Sequence, residues 1–109
     1  MNYKEIENCP LNVFLKSFSG KWKPIILYCF FKNGNMRFTD LWRAIPAVSK
    51  KVLLQQLKEL EKSEIVQRTQ INTFPPEVFY GLSGKGDSLL PVILIIEEWI
   101  TINKYQSEP

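Results

Sequence analysis

The chain has 109 residues, 45% hydrophobic and 13% aromatic, which suits one small globular core and leaves no room for a separate catalytic or ligand domain. Its net charge is only +3, yet residues 16–51 hold eight Lys and Arg against Asp40 alone, a net of +7, as a surface facing a polyanion requires. Histidine is absent, which removes Ser-His-acid and Cys-His machinery and most zinc sites. The acids form no evident pair, so no enzyme, metal or cofactor is expected.

Pro10 suits the first turn of a helix in which Leu11, Phe14, Leu15 and Phe18 recur at helical spacing, until Ser19-Gly20 ends it. A second helix is predicted from about Lys21, with Pro24 in its first turn and Ile25 to Phe31 behind it. It is apolar nearly all round and so should be central in the core. Asn33-Gly34-Asn35 is turn chemistry. Met36-Arg37-Phe38 reads as a brief strand. Thr39 then caps a third helix, Asp40 to Ile45, with Leu41, Trp42 and Ile45 facing inward, and Pro46-Ala47-Val48 is the turn that follows.

Ser49 caps a fourth helix running to about Lys62. Leu53, Leu57 and Leu60 form its apolar stripe, and Lys51, Gln55, Lys58 and Lys62 the opposite face, with Lys50 and Leu54 at the margin. Before Glu59 it carries three lysines and no acid, so its polar face is most cationic at the N-terminal end. That is the end a recognition helix points into the major groove, although a merely solvated amphipathic helix would show the same pattern. Ile65–Ile71 and Val78–Leu82 read as two strands of a wing. The loop between them holds no cation, and Pro75-Pro76 removes two backbone donors, so this wing should touch phosphate weakly, through Arg68. A last helix is expected from about Lys85–Asp87 to Tyr105. It carries more Leu, Ile, Val and Trp than so small a chain can bury by itself. The surplus reads as a dimer seam; the competing reading is a helix buried within its own fold.

No apolar run approaches the roughly 18 to 20 residues needed to cross a bilayer. Glu5 and Glu7 are unlike a secretion signal, and two cysteines without export signals suggest free thiols in the cytoplasm.

Along residues 9–99 a set of short pieces falls in one order. They are Cys9-Pro10, Gly20-Lys21-Trp22, Arg37-Phe38-x-x-Leu41, and Ser49-x-x-x-Leu53-x-x-x-Leu57-x-x-Leu60. Then come Val66-x-Arg68, Pro75-Pro76-x-Val78-x-Tyr80-x-Leu82-x-x-x-Gly86, and Trp99. In that order and spacing they resemble the HxlR-type winged helix-turn-helix transcriptional regulators, relatives of the MarR class. The resemblance implies a homodimer assembled through the N- and C-terminal helices, two recognition helices on a pseudo-palindromic operator, and a response to chemical stress. It also implies that Cys9 matches a place where some members sense oxidants or electrophiles. A thiol just ahead of a helix suits that role, while a packed, idle thiol is the competing reading. Cys29, among Tyr28 and Phe30-Phe31, reads as a buried small hydrophobe. Two departures stand out: Glu64 occupies a position where the family commonly has a turn glycine, and Leu54 one often held by a small hydroxyl residue facing DNA. An apolar group there suits contact with a thymine methyl.

The expected fold is therefore α+β, mostly α: one winged-helix domain over residues 1–109. Residues 36–82 would be the helix-turn-helix and wing, and about 9–18 and 86–105 the dimerisation helices. The expected partner is double-stranded DNA, with a small-molecule effector unspecified. Lys50, Lys51, Gln55 and Lys58 would approach the major groove, with Gln55 able to pair bidentately with adenine. Ser49, Lys50, Arg37 and Arg68 would mainly position phosphates. The rival function is a winged-helix protein-interaction module with no operator, using the last helix as its binding element. A cysteine-based redox enzyme lacks both a histidine and a Cys-x-x-Cys pair.

Overall fold

The computed structural model describes residues 1–107. Asn2 caps a short helix, α1 (Tyr3–Glu7), by accepting from the Glu5 N–H, an element that no apolar periodicity announces. Cys9 then occupies the N-cap of α2 (Pro10–Ser17), with Pro10 in the first turn as expected. Helix α3 (Lys23–Asn33) is not buried all round. Ile26, Leu27 and Phe30 are in the core, whereas Ile25 and Tyr28 are exposed. One side of α3 has the next helix and the sheet to pack on; the other opens onto an uncovered trough.

Strand β1 (Met36–Arg37) runs directly into α4 (Phe38–Ala44). Thr39 therefore does not cap this helix. Arg37, held extended by its pairing in the sheet, is the N-cap residue and makes no side-chain cap bond. Leu41 and Ile45 are buried as expected. Trp42 is not: it is 38% exposed, and its Nε1–H donates to the Val48 carbonyl at 3.0 Å. An indole N–H needs an acceptor, and the turn carbonyl supplies one, tying α4 to the turn. Helix α5 (Lys50–Lys62) starts where the sequence places it, with the Ser49 hydroxyl accepting from the Val52 N–H at 3.2 Å. Leu53 and Leu57 are fully buried and Leu60 nearly so, which at about 1.5 to 3 kcal/mol per side chain makes this stripe the anchor of the helix.

The link from α5 to the wing closes in a Schellman motif. The Glu64 N–H donates to the Glu61 carbonyl at 2.9 Å, and the Ile65 N–H reaches back to the Leu60 carbonyl at 3.0 Å. That motif puts its first residue past the cap in left-handed backbone, and Glu64 adopts it at φ +64°. Strands β2 (Val66–Ile71) and β3 (Glu77–Leu82) pair antiparallel from Val66↔Leu82 to Ile71↔Glu77, and β1 pairs on the other edge of β3. The sheet order is β1-β3-β2, so the wing grows from a sheet that already holds the entry to the helix-turn-helix.

The single last helix expected from the sequence is two. Ser83 caps α6 (Gly84–Asp87), and after a joint at Ser88–Leu89 comes α7 (Leu90–Asn103) with Pro91 in its first turn. Pro91 has no N–H to donate to the turn before it, so the helix cannot run through. A Cβ at Gly86 would run into the Ile65 carbonyl oxygen, so glycine lets α6 sit against the start of the wing. No residue of α7 is buried. The chain is correspondingly long, 57 × 33 × 26 Å, with a radius of gyration of 16.0 Å against about 13 Å for a compact chain of this size.

Candidate nucleic-acid interface

Helix α5 is held by its leucines, and that fixes what its other side presents. Lys51, Gln55, Lys58 and Lys62 fall within an arc of about 60° on an α-helix. All four are exposed, as are Ser49 and Lys50 at the helix start, and Leu54 at the margin is half-buried. Among the described residues, Lys50, Lys51, Lys58 and Lys62 have no carboxylate within ion-pair reach, and the Gln55 amide bonds to no protein group. The acid that follows Lys58 in the helix is tied elsewhere. Glu59 accepts from Gln56 Nε2 at 3.2 Å and pairs with Lys23 of α3 at 3.4 Å. The cations of α5 are therefore free for an external anion. Ser49 differs: its hydroxyl oxygen already serves the Val52 N–H, so it holds the helix start in place before it does anything else.

The two candidate arginines sit apart from this helix and from each other. Arg68, on β2, is exposed and donates from Nη2 to Gln70 Oε1 at 3.3 Å. Arg37, at the junction of β1 and α4, pairs with Glu77 at 3.0 Å and lies 5.7 Å from the centre of the Phe79 ring. The register sets Arg37 opposite Phe79 and Arg68 opposite Tyr80, neighbours on β3 whose side chains point to opposite faces. The two guanidiniums therefore cannot grip one phosphate together. At the tip of the wing Phe74 is fully exposed, and the turn around it is braced by the Thr73 hydroxyl donating to the Pro75 carbonyl at 2.8 Å.

Sequence reasoning missed two side chains that shape this surface. Trp42 reads as a core residue from its spacing but fixes the turn through its polar edge. Glu77 reads as a loop residue, and only the sheet register shows that it meets Arg37, 40 positions away in the chain.

The two cysteines sit in different settings. Cys9 is partly buried at the start of α2, and its Sγ accepts from the Asn12 N–H at 3.4 Å. Cys29, half-buried on α3, has its thiol pushed above the ordinary value by burial. Among the described residues no cluster of Cys, Asp and Glu could hold a metal, and no helix is long and apolar enough to cross a membrane.

A three-stranded sheet with a β2–β3 wing, a turn clamped between α4 and α5, and an open cationic helix define a winged helix-turn-helix. Residues 17–108 match the model of the HxlR-like helix-turn-helix family, and the chain belongs to that family. It is 39% identical over 92 residues to the HTH-type transcriptional regulator YkvN of Bacillus subtilis, covering 84% of this chain and 77% of that one. A similar regulator from Methanothermobacter thermautotrophicus is 36% identical over 91 residues, covering 84% of this chain and 69% of the other. Among solved structures, the redox regulator HypR in its reduced form superposes with a TM-score of 0.78 at 35% identity, over 88% of this chain and 94% of HypR. Reduced YodB, a transcriptional regulator of B. subtilis, does so with a TM-score of 0.74 at 32% identity, over 84% and 90%. The chain is thus a transcriptional regulator of HxlR type, related to the MarR regulators, and not an enzyme.

Proposed function

We propose that this regulator works as a symmetric dimer that reads double-stranded DNA with α5. The observation that carries the reading is the open face of α5, where Lys51, Gln55 and Lys58 share one side without protein partners. Lys50 and Lys51 meet phosphates at the groove edge, and Gln55 is the residue with the chemistry to read adenine. Arg68 positions the wing against the backbone.

Dimerisation is supported by what the protomer leaves uncovered. Ile95 and Trp99 on α7 are 65% and 54% exposed, and Leu11 and Leu15 on α2 are exposed as well. Between α2, α3 and α7 lies an open apolar trough of about 240 Å³ lined by Phe14, Phe18, Leu27, Tyr28, Val92 and Ile96. The Tyr28 hydroxyl donates to Glu97 Oε2 at 3.0 Å and so links α3 to α7. A monomer in water would keep this surface wet at a large hydrophobic cost. A second copy of the same helices removes it, and the two-fold axis then presents two copies of α5.

Cys9 is the sensor candidate within this reading. It is partly buried at the N-cap of α2, where its sulfur accepts from the Asn12 N–H, so a change at the sulfur would disturb the start of a helix proposed for the seam. HypR, which has been solved in both reduced and oxidised forms, is similar over most of the chain.

The test is selection of bound duplexes from a random pool, run with the parent and with Cys9→Ser, each with and without a thiol oxidant. The reading expects a two-fold symmetric site, and an oxidant effect on the parent that Cys9→Ser loses. A pool that stays random contradicts DNA reading; an oxidant effect that survives Cys9→Ser removes the sensor role alone.

A further inference from the structure

Among the described residues, Arg37 is the one cation held by a carboxylate from the wing, Glu77 of β3. Arg37 and Glu77 lie on the same face of the sheet: Arg37 is opposite Phe79, and Glu77 is two residues along β3, so the three side chains share one side. The ion pair is 3.0 Å long, and the guanidinium also rests over the Phe79 ring at 5.7 Å. Both partners remain open to water, with side chains 53% and 34% exposed. A cleft lined by Arg37, Phe38, Thr39, Pro76, Glu77 and Val78 lies where the start of α4 meets the tip-side end of β3. A phosphate approaching there meets a neutral pair, not a free guanidinium.

An exposed ion pair of this kind does little for the fold. The same carboxylate has a large effect on an incoming anion, because it satisfies the cation and adds repulsion. We propose that Glu77 is an internal competitor for Arg37, which withholds the guanidinium from DNA phosphate and so holds down the affinity of the regulator for duplex. The inference rests on the DNA-binding reading above. Within it, Glu77 is a positioning residue: it touches no DNA and acts through Arg37. Exchange of the carboxylate for its neutral amide releases one cation for one phosphate.

The experiment is a set of salt titrations of binding to a random-sequence duplex, using the full-length parent, E77Q, R37A and R37A/E77Q. Circular dichroism melts confirm that each variant is folded. E77Q is expected to bind several-fold more tightly than the parent at about 50 mM salt, with a slope of log K against log salt steeper by about 0.9, the value of one added phosphate contact. Its advantage then shrinks about 3.5-fold by about 200 mM salt. R37A/E77Q is expected to bind like the parent, since neither offers a free guanidinium. Three results would overturn the proposal: E77Q matching the parent, the parent binding more tightly than R37A/E77Q with a steeper slope, or E77Q giving the same gain in the R37A background. The last would make the effect one of charge at a distance. A parent that ignores duplex at low salt overturns the DNA-binding reading and the competitor with it. That is a separate result from a parent that binds while E77Q gains nothing.

Discussion

One local cost in this fold is at Glu64. It holds left-handed backbone at φ +64° because the Schellman motif that ends α5 needs that conformation at its position. A residue with a Cβ pays about 1 to 2 kcal/mol there. Glycine would remove that cost, while its greater freedom in the unfolded chain would return about 0.5 to 1 kcal/mol. The Glu64 carboxylate contributes little to offset the change: its pair with Lys85 is 3.9 Å long between side chains 81% and 62% exposed. Glu64→Gly should therefore stabilise the protein by about 0.5 to 1 kcal/mol. The corresponding rise in Tm is about 2 to 6 °C, measured calorimetrically at fixed protein concentration, because self-association would make the melting temperature concentration-dependent. Glu64→Ala, which loses the carboxylate but keeps the Cβ, should melt close to the parent. If Glu64→Gly melted at or below the parent, the left-handed turn would not be a cost and the reasoning would fail.

Gln55→Ala should lose about 1 to 3 kcal/mol at one base pair of a selected site and relax the preference there, whereas Lys50→Ala should weaken binding to every sequence and flatten the salt dependence. Equal behaviour of both variants and the parent in anisotropy titrations would contradict these roles. Ile95→Glu should leave the protomer folded, since the side chain is 65% exposed. It should also weaken self-association by at least about 2 kcal/mol, roughly thirtyfold in Kd, by placing a charge in the seam. Sedimentation equilibrium reads this directly, and an unchanged dimer would remove α7 from the interface. Burial raises the Cys29 thiol above its ordinary 9.0, so folding favours the protonated sulfur. Its contribution to stability is intact below pH 9 and is lost as pH climbs through the raised value. At neutral pH, alkylation followed by mass spectrometry should find Cys29 reacting more slowly than in unfolded chain, and equal rates would refute it.

The elements most visible in the sequence are those whose physics is local. The serine cap, the i, i+4, i+7 leucines and the opposed lysines of α5 all lie between Ser49 and Lys62, and the helix starts and ends where they say. The wing is legible for the same reason, from two branched runs around a Pro-Pro turn. Helix α3 shows the limit: an apolar composition all round signals burial, but not whether another protomer is needed to complete it. Trp42 shows another, because the spacing of an aromatic residue does not disclose what its N–H will bond. The pairing of Arg37 with Glu77 depends on the register of β1 on β3, and no local pattern encodes it. The family position of Glu64 was informative in a different way. A side chain where a turn glycine is common marks a place where the backbone still has to turn left-handed, and the structure has it there.

The proposal that α5 faces DNA from a two-fold dimer is tested most directly by hydroxyl-radical footprinting of a selected site. It should show two protected half-sites whose centres lie one duplex turn apart or a multiple of it, at roughly 10 to 10.5 bp per turn, with Gln55→Ala losing preference at the equivalent base pair in both halves. One asymmetric protected patch, or protection that does not respond to changes on α5, would contradict it.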